Sequence, residues 1–103
     1  MSEQVICNNN NGVLTVRLNG RVDASNASAV EKEILSAHEA ARDADIVIGA
    51  AELEYISSAG LRVIKRLYMA MTKKGGTLVL TNIRKMVMEV FEMTGFVGFL
   101  TIK

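Results

Sequence analysis

The chain has 103 residues, half of them apolar and 22% charged, with one cysteine, no proline and no tryptophan. A chain of this length buries roughly two thirds of its unfolded surface around one core, which excludes a two-domain enzyme, and the composition lies far from that of disordered chains. Twelve Lys and Arg against eleven Asp and Glu leave a formal charge of +1; short basic pairs such as Lys73-Lys74 and Arg84-Lys85 are too little to gather a polyanion, so nucleic acid is not expected as the main partner.

The first predicted element is a strand over Glu3 to Cys7. Asn8 to Gly12 reads as the turn after it, because Asn and Gly accept positive φ cheaply, and the five-residue loop leaves the register of the hairpin open. Val13 to Leu18 alternates apolar and polar residues, the mark of a half-buried second strand. Cys7, alone in the chain, cannot form an intrachain disulfide; beside Val5 and Ile6 it reads as a small buried hydrophobe, which fits a reducing cytoplasm. Met1 to Gln4 lacks a cationic stretch followed by an apolar core, and no apolar run approaches the ~18 residues needed to cross a bilayer. A cytoplasmic protein with no export signal and no membrane insertion is expected.

Beyond Gly20 the period changes. Ala27, Val30, Ile34, Ala37 and Ala41 form the stripe of an amphipathic helix, whose start lies at Ser28, with Glu31 completing a capping box, or earlier at Asp23 or Ser25. Ile46, Val47 and Ile48, bounded by Asp43-Ala44-Asp45 and Gly49, read as a short strand covered on both faces. Leu61, Ile64, Tyr68 and Met71 place a second helix over Ser58 to Lys74, stopped by cations in its last turn and by Gly75. Thr77 to Thr81 is a further strand, Ile83, Val87, Val90 and Phe91 mark a third helix ending before Gly95, and Phe99 to Ile102 reads as a last strand. The alternation after the hairpin implies an α/β fold of one domain over residues 1–103, its mixed and largely parallel sheet linked by βα crossover helices.

Glu52 to Ile64 joins the central strand to the second helix and carries the strongest functional signal. Ser57 and Ser58, then Ala59-Gly60, place hydroxyls at a helix N-terminus, where unpaired N–H groups and the dipole favour negative charge, so a phosphate there is well placed. The plainer reading is that one of the two serines is an N-cap.

At these residues the chain resembles the STAS domain family, in particular its small stand-alone bacterial anti-sigma factor antagonists. The resemblance runs over the whole chain through Leu18-Asn19-Gly20-Arg21-Val22-Asp23, the strand Ile46-Val47-Ile48, Leu53-Glu54-Tyr55-Ile56-Ser57-Ser58-Ala59-Gly60-Leu61, Gly75-Gly76, and Val90-Phe91-Glu92-Met93-Thr94-Gly95-Phe96. It implies the STAS fold and a regulator without catalytic activity or cofactor of its own. Its implied partners are an anti-sigma factor serine kinase of the histidine-kinase-like ATPase class, which phosphorylates Ser58 and then releases it, and a phosphatase that resets it. Ser57 stands where the family often has aspartate, and Gly49 where Asp or Asn often follows the strand. The resemblance places Asp23 near the phosphorylation loop, with a helix cap as the alternative, and makes Asp23, Ser57, Ser58, Ala59, Gly60 and Arg62 the candidate partner-binding residues. Arg62, one turn after Ser58, is positioned to pair with a phosphate or simply to be solvated.

Other constellations are thin. The sole histidine, His38, has no companion ligands and reads as a surface side chain rather than a metal ligand. Ile56-Ser57-Ser58-Ala59-Gly60 lacks the first glycine of a hydrolase nucleophile turn, and Gly75-Gly76 lacks the lysine pattern of a phosphate loop. Met69, Met71, Met86, Met88 and Met93 read mostly as core filler, with one or two left for a partner surface. Two rivals remain beside the antagonist: a small subunit docking a transporter ATPase of the lipid-transport type with Ser58 unmodified, and a hydrolase using Ser58 as nucleophile.

Overall fold

The computed structural model describes residues 4–41, 44–95 and 101–103. Along the chain run β1 (Val5–Asn10), β2 (Val13–Val22), α1 (Ala27–Ala41), β3 (Asp45–Ile56), α2 (Ser58–Lys73), β4 (Leu78–Thr81), α3 (Lys85–Thr94) and β5 (Thr101–Ile102). The strands form one sheet in the order β1-β2-β3-β4-β5. β1 and β2 are antiparallel, and every later pair is parallel. Of the expected terminal strands, Glu3 and residues 99 and 100 lie outside the described residues, as does Phe96 of the motif near the C-terminus.

The sheet advances in one direction through β2, β3, β4 and β5, so right-handed crossovers put their helices on the same face. Burial follows that geometry. Leu14, Val16, Leu18, Ile46, Ile48, Leu78 and Leu80 are buried with Val30 and Ile34 of α1, Leu61, Ile64 and Leu67 of α2, and Val87 and Phe91 of α3. The alternate residues Thr15, Val47, Val79 and Thr81 stay half-buried on the other face. The expectation that β3 is covered on both faces is therefore corrected: its apolar triplet alternates like a one-sided strand.

Two boundaries also differ. The asparagine run is strand rather than loop: β1 continues to Asn10, paired with Val13. The turn shrinks to Asn11 and Gly12, with φ of 52° and 83°, the geometry of a two-residue hairpin whose twist matches its strands. β3 runs past Gly49 to Ile56, because register shifts between Arg17 and Asn19 and between Gly20 and Arg21 insert extra β3 residues against β2. These bulges turn the buried spacing from two to three, through Ala50, Leu53 and Ile56, which hides the strand from a period-two search.

α1 starts at Ala27, so Ser28 and Glu31 form no capping box; the Glu31 carboxylate instead takes a two-pronged contact from Arg66 of α2, both distances 2.8 Å. That hydrogen bonding and charge hold the Glu31 carboxyl below its ordinary range and push the Arg66 guanidinium up. His38 is buried rather than on the surface: helical spacing puts it on the stripe of Val30 and Ile34, and its Nε2 lies 2.9 Å from the Ala44 carbonyl oxygen. Of the methionines expected in the core, Met71 is buried and Met88 half-buried, whereas Met69, Met86 and Met93 are exposed. Cys7 is only partly buried against the core, its thiol pKa pushed up by desolvation and by Glu33.

Candidate functional site at the start of α2

β2 and β3 are parallel, so their C-terminal ends open on the same edge of the sheet, where Val22 pairs with Ile56. Only Ser57 separates β3 from α2. Its backbone is extended, with φ −95° and ψ 177°; its N–H donates to the Val22 carbonyl at 2.8 Å and its carbonyl accepts the Leu61 N–H at 2.9 Å. One residue thus continues the β2–β3 ladder on one side and opens the helix on the other.

The structure divides the two serines. Ser57 is the N-cap, its Oγ accepting the Gly60 N–H at a long 3.4 Å. Ser58 is the first helical residue and is exposed. Among the described residues its hydroxyl has no hydrogen-bond partner. No acidic residue lies in the first turn, so the positive end of the helix dipole and the unpaired N–H groups stand without a compensating carboxylate. Arg62 follows one turn later, exposed and in no ion pair among the described residues.

Gly60 fixes how closely α2 approaches the sheet. A Cβ there would lie 2.6 Å from Ile56 Cγ1 and 2.9 Å from Val22 Cγ1, well inside van der Waals contact. Ala59, half-buried, packs against the core beside it.

Asp23 sits in the turn that follows β2, on the same edge as Ser57. Its N–H donates to Asn26 Oδ1 at 2.9 Å, and its Oδ1 accepts the Ser25 N–H at 3.0 Å and the Ser25 hydroxyl at 2.6 Å. Hydrogen bonds from Ser25, first from its hydroxyl and then from its N–H, outweigh desolvation and, with the Arg21 charge, hold the Asp23 carboxyl below the usual carboxylate range. Asp23 is therefore a charged turn residue whose carboxylate is ordered before any partner arrives. The Arg21 carbonyl accepts from the Asn26 amide at 2.9 Å and from the Gln4 amide. The Arg21 guanidinium stacks 4.2 Å from the centroid of the Tyr55 ring.

The sequence brought Asp23, Ser57, Ser58, Ala59, Gly60 and Arg62 forward, and all six lie on the β2 and β3 ends or the first turns of α2. It missed the Arg21–Tyr55 stack and Asn26. The stack depends on a cross-strand register set by the bulges. Asn26 was visible only as Asp-x-x-Asn, a spacing that lets two side chains and two backbones bond reciprocally.

Chemically the edge offers an exposed hydroxyl, an anion-favouring helix end, one ordered carboxylate and one unpaired guanidinium. His38 touches Ala44, just before β3, while Ser58 follows its far end. The whole strand separates the sole imidazole from the serine, so His38 cannot act as its base. Among the described residues no group of His, Cys, Asp and Glu side chains is placed to hold a metal ion, and no helix is long and apolar enough to cross a membrane.

Residues 4–103 match the model of the STAS domain family. A relative described as an anti-sigma factor antagonist, BtrV of Bordetella bronchiseptica, is 38% identical over 87 residues, covering 84% of this chain and 74% of its own. The crystal structure of a Thermotoga maritima protein described as an anti-sigma factor antagonist superposes with a TM-score of 0.87 at 19% identity, over 97% of this chain and 86% of that one. SpoIIAA, a Bacillus cell fate determinant solved in its phosphorylated form, has a TM-score of 0.72 at 16% identity, covering 96% and 90%. These structural likenesses speak for the fold: a hairpin feeding a parallel sheet, with a helix that starts one residue after the central strand. With the family model matched across nearly the whole chain, the protein belongs to the STAS domain family.

Proposed function

We propose that this STAS domain is an anti-sigma factor antagonist switched by phosphorylation of Ser58. The carrying observation is the division of labour at the start of α2: Ser57 takes the capping role, which leaves the Ser58 hydroxyl exposed and, among the described residues, unbonded. The reading is supported by the description of the relative from Bordetella bronchiseptica and by the existence of a phosphorylated form of SpoIIAA.

In this reading the unphosphorylated edge around Asp23 and Ser58 docks against an anti-sigma factor that is also a serine kinase of the histidine-kinase-like ATPase class. Transfer of the γ-phosphoryl group of ATP to Ser58 Oγ releases ADP and the hydroxyl proton. The phosphoserine adds about −1.5 to −2 charges at neutral pH, which a closed interface would have to desolvate. In the free domain the helix end and Arg62 tolerate that charge, so the complex is weakened and the fold is not. A phosphatase returns the serine. The protein works in the cytoplasm, where that kinase has its ATP, and performs no chemistry of its own.

The test is phosphopeptide mapping of the protein isolated from its native host, with Ser58→Ala expressed in parallel. Modification at Ser58, lost in the variant, is expected. Modification at Ser57 with Ser58→Ala still fully phosphorylated refutes the site. An unmodified protein that co-purifies with a transporter ATPase refutes the antagonist reading in favour of a transporter subunit.

A further inference from the structure

Asn26 stands immediately before α1, and its carbonyl accepts the Val30 N–H at 3.0 Å. From that position a side-chain oxygen ordinarily caps the first N–H groups of the helix. Here the side chain turns the other way. Its Oδ1 accepts the Asp23 N–H at 2.9 Å and its Nδ2 donates to the Arg21 carbonyl at 2.9 Å, and among the described residues it makes no bond to the first turn of α1. That turn has no acidic residue either. The helix forgoes its cap, and the residue best placed to supply it is spent on the turn that presents Asp23.

The two bonds join that turn to the edge that carries Ser58. Arg21 and Val22 are consecutive: the Arg21 carbonyl takes the Asn26 amide, and the Val22 carbonyl takes the Ser57 N–H at 2.8 Å. One short stretch of β2 thus anchors both the turn of Asp23 and the residue that caps the helix of Ser58. Within the turn the Asn26 and Ala27 N–H groups donate to the Asp23 carbonyl at 3.2 and 2.8 Å, so the backbone of Asp23 is held at both its N–H and its C=O. In that pose Ser25 reaches the carboxylate with its hydroxyl at 2.6 Å and its N–H at 3.0 Å. Among the residues that favour a capping position, only asparagine carries a separate donor and acceptor on one rigid amide.

Given the function proposed above, on which this rests, we infer that Asn26 is a positioning residue: it holds the Asp23 carboxylate in place for the kinase that docks at Ser58. Asn26 acts through Asp23. A carboxylate fixed before contact spares the complex the cost of ordering it, so the loss of Asn26 is felt in how tightly the kinase holds this protein and not in the transfer step. If Asn26 were no more than a helix cap, serine, which ranks with asparagine at that position, would replace it without consequence.

A double-mutant cycle tests it, using the kinase purified from the native host by its activity on the wild-type protein. Asn26→Ser keeps a capping residue and gives up the bond to the Arg21 carbonyl; Asp23→Asn removes the charge. In the wild-type background Asn26→Ser should raise the KM for this protein at least about tenfold with kcat within about twofold. In the Asp23→Asn background the same change should alter KM by less than about twofold, because no carboxylate is left to place. In the free protein, carbon NMR titration should show the Asp23 carboxyl, held low chiefly by Ser25, rising toward the ordinary carboxylate range in Asn26→Ser. If Asn26→Ser does not fold, Asn26→Thr takes its place in the cycle. An unchanged KM, a loss that persists in full beside Asp23→Asn, or an Asp23 carboxyl that stays low overturns the positioning role while leaving Ser58 as the acceptor. A wild type that no kinase of the host modifies overturns the proposed function and this role with it.

Discussion

Replacing Gly60 by alanine sets two opposing effects against each other at the start of α2. In a helix interior alanine is favoured over glycine by about 1 kcal/mol. Against this, the new Cβ would lie 2.6 Å from Ile56 Cγ1 and 2.9 Å from Val22 Cγ1. Both residues are almost fully buried and β-branched, so their side chains are stiff at χ1 and cannot swing aside. Overpacking of this kind costs about 1–3 kcal/mol. Contacts this short and this stiff place the cost in the upper part of that range, about 2–3 kcal/mol, so after the helical gain a net loss of about 1–2 kcal/mol is expected, lowering Tm by roughly 4–15 °C for a domain of this size. With no tryptophan in the chain, urea and thermal unfolding are followed by far-ultraviolet circular dichroism. Gly49→Ala is the control, since a Cβ there meets its nearest atom, Arg17 Cγ, at an ordinary 3.6 Å; that variant should be neutral or up to ~1 kcal/mol more stable, because glycine weakens a strand through its entropy. A Gly60→Ala protein as stable as the wild type, or a Gly49→Ala protein that loses more, would refute the claim that close approach dictates the glycine.

Ser57→Ala, which removes a cap bond of 3.4 Å, should cost about 0.5–1 kcal/mol in urea unfolding, the lower end of the capping range because the bond is long. Glu31→Gln should cost about 0.5 kcal/mol at pH 7, as befits an ion pair whose arginine is exposed and whose carboxylate is partly covered. Because the Glu31 carboxyl is depressed in the folded state, its contribution is fully present above the unfolded carboxylate pKa. The difference between wild type and Glu31→Gln should shrink as pH falls through the folded value, and a difference that grows on acidification would reverse the sign. His38→Leu leaves the Ala44 carbonyl without its imidazole partner and should lose about 1–3 kcal/mol in the same unfolding assay. In the protein phosphorylated at Ser58, Ser57→Asp should raise the second pKa of the phosphoserine, since a neighbouring negative charge disfavours the dianion; phosphorus NMR titration at low salt reads it, and an unchanged or lowered value would mean that the two side chains diverge.

The helices were legible because their apolar stripes survive intact: Leu61, Ile64 and Met71 on α2 and Val87 and Phe91 on α3 are all buried as their spacing requires. The candidate site was legible for the same reason, being the start of a well-marked helix. β3 was read as three residues instead of twelve because two bulges change its buried spacing from Ala50 onward. A bulge depends on the partner strand and leaves no local sign. The asparagines of β1 were assigned to a turn by composition, yet tertiary pairing with β2 overrode that preference. His38 was placed on the surface by residue type although it lies four residues beyond Ile34 on the buried stripe; position outweighed polarity once the Ala44 carbonyl supplied a partner. The Arg21–Tyr55 stack joins residues far apart in sequence, and nothing local marks it.

Because Ser57 is the whole connection between β3 and α2, with its amide held by Val22 and its carbonyl by Leu61, the helix end has no slack. A modification on the following residue meets no hinge through which to reshape the domain. If Ser58 is the switch proposed above, its message is written in charge rather than in form, legible only to a partner that comes within about a Debye length, ~8 Å at physiological salt. Such a device resembles a painted mark on a rigid tile more than a lever. Under that proposal, discrimination between the two states rests with whatever docks beside Ser58, and the response is retuned by substitutions in that partner while this fold stays unchanged.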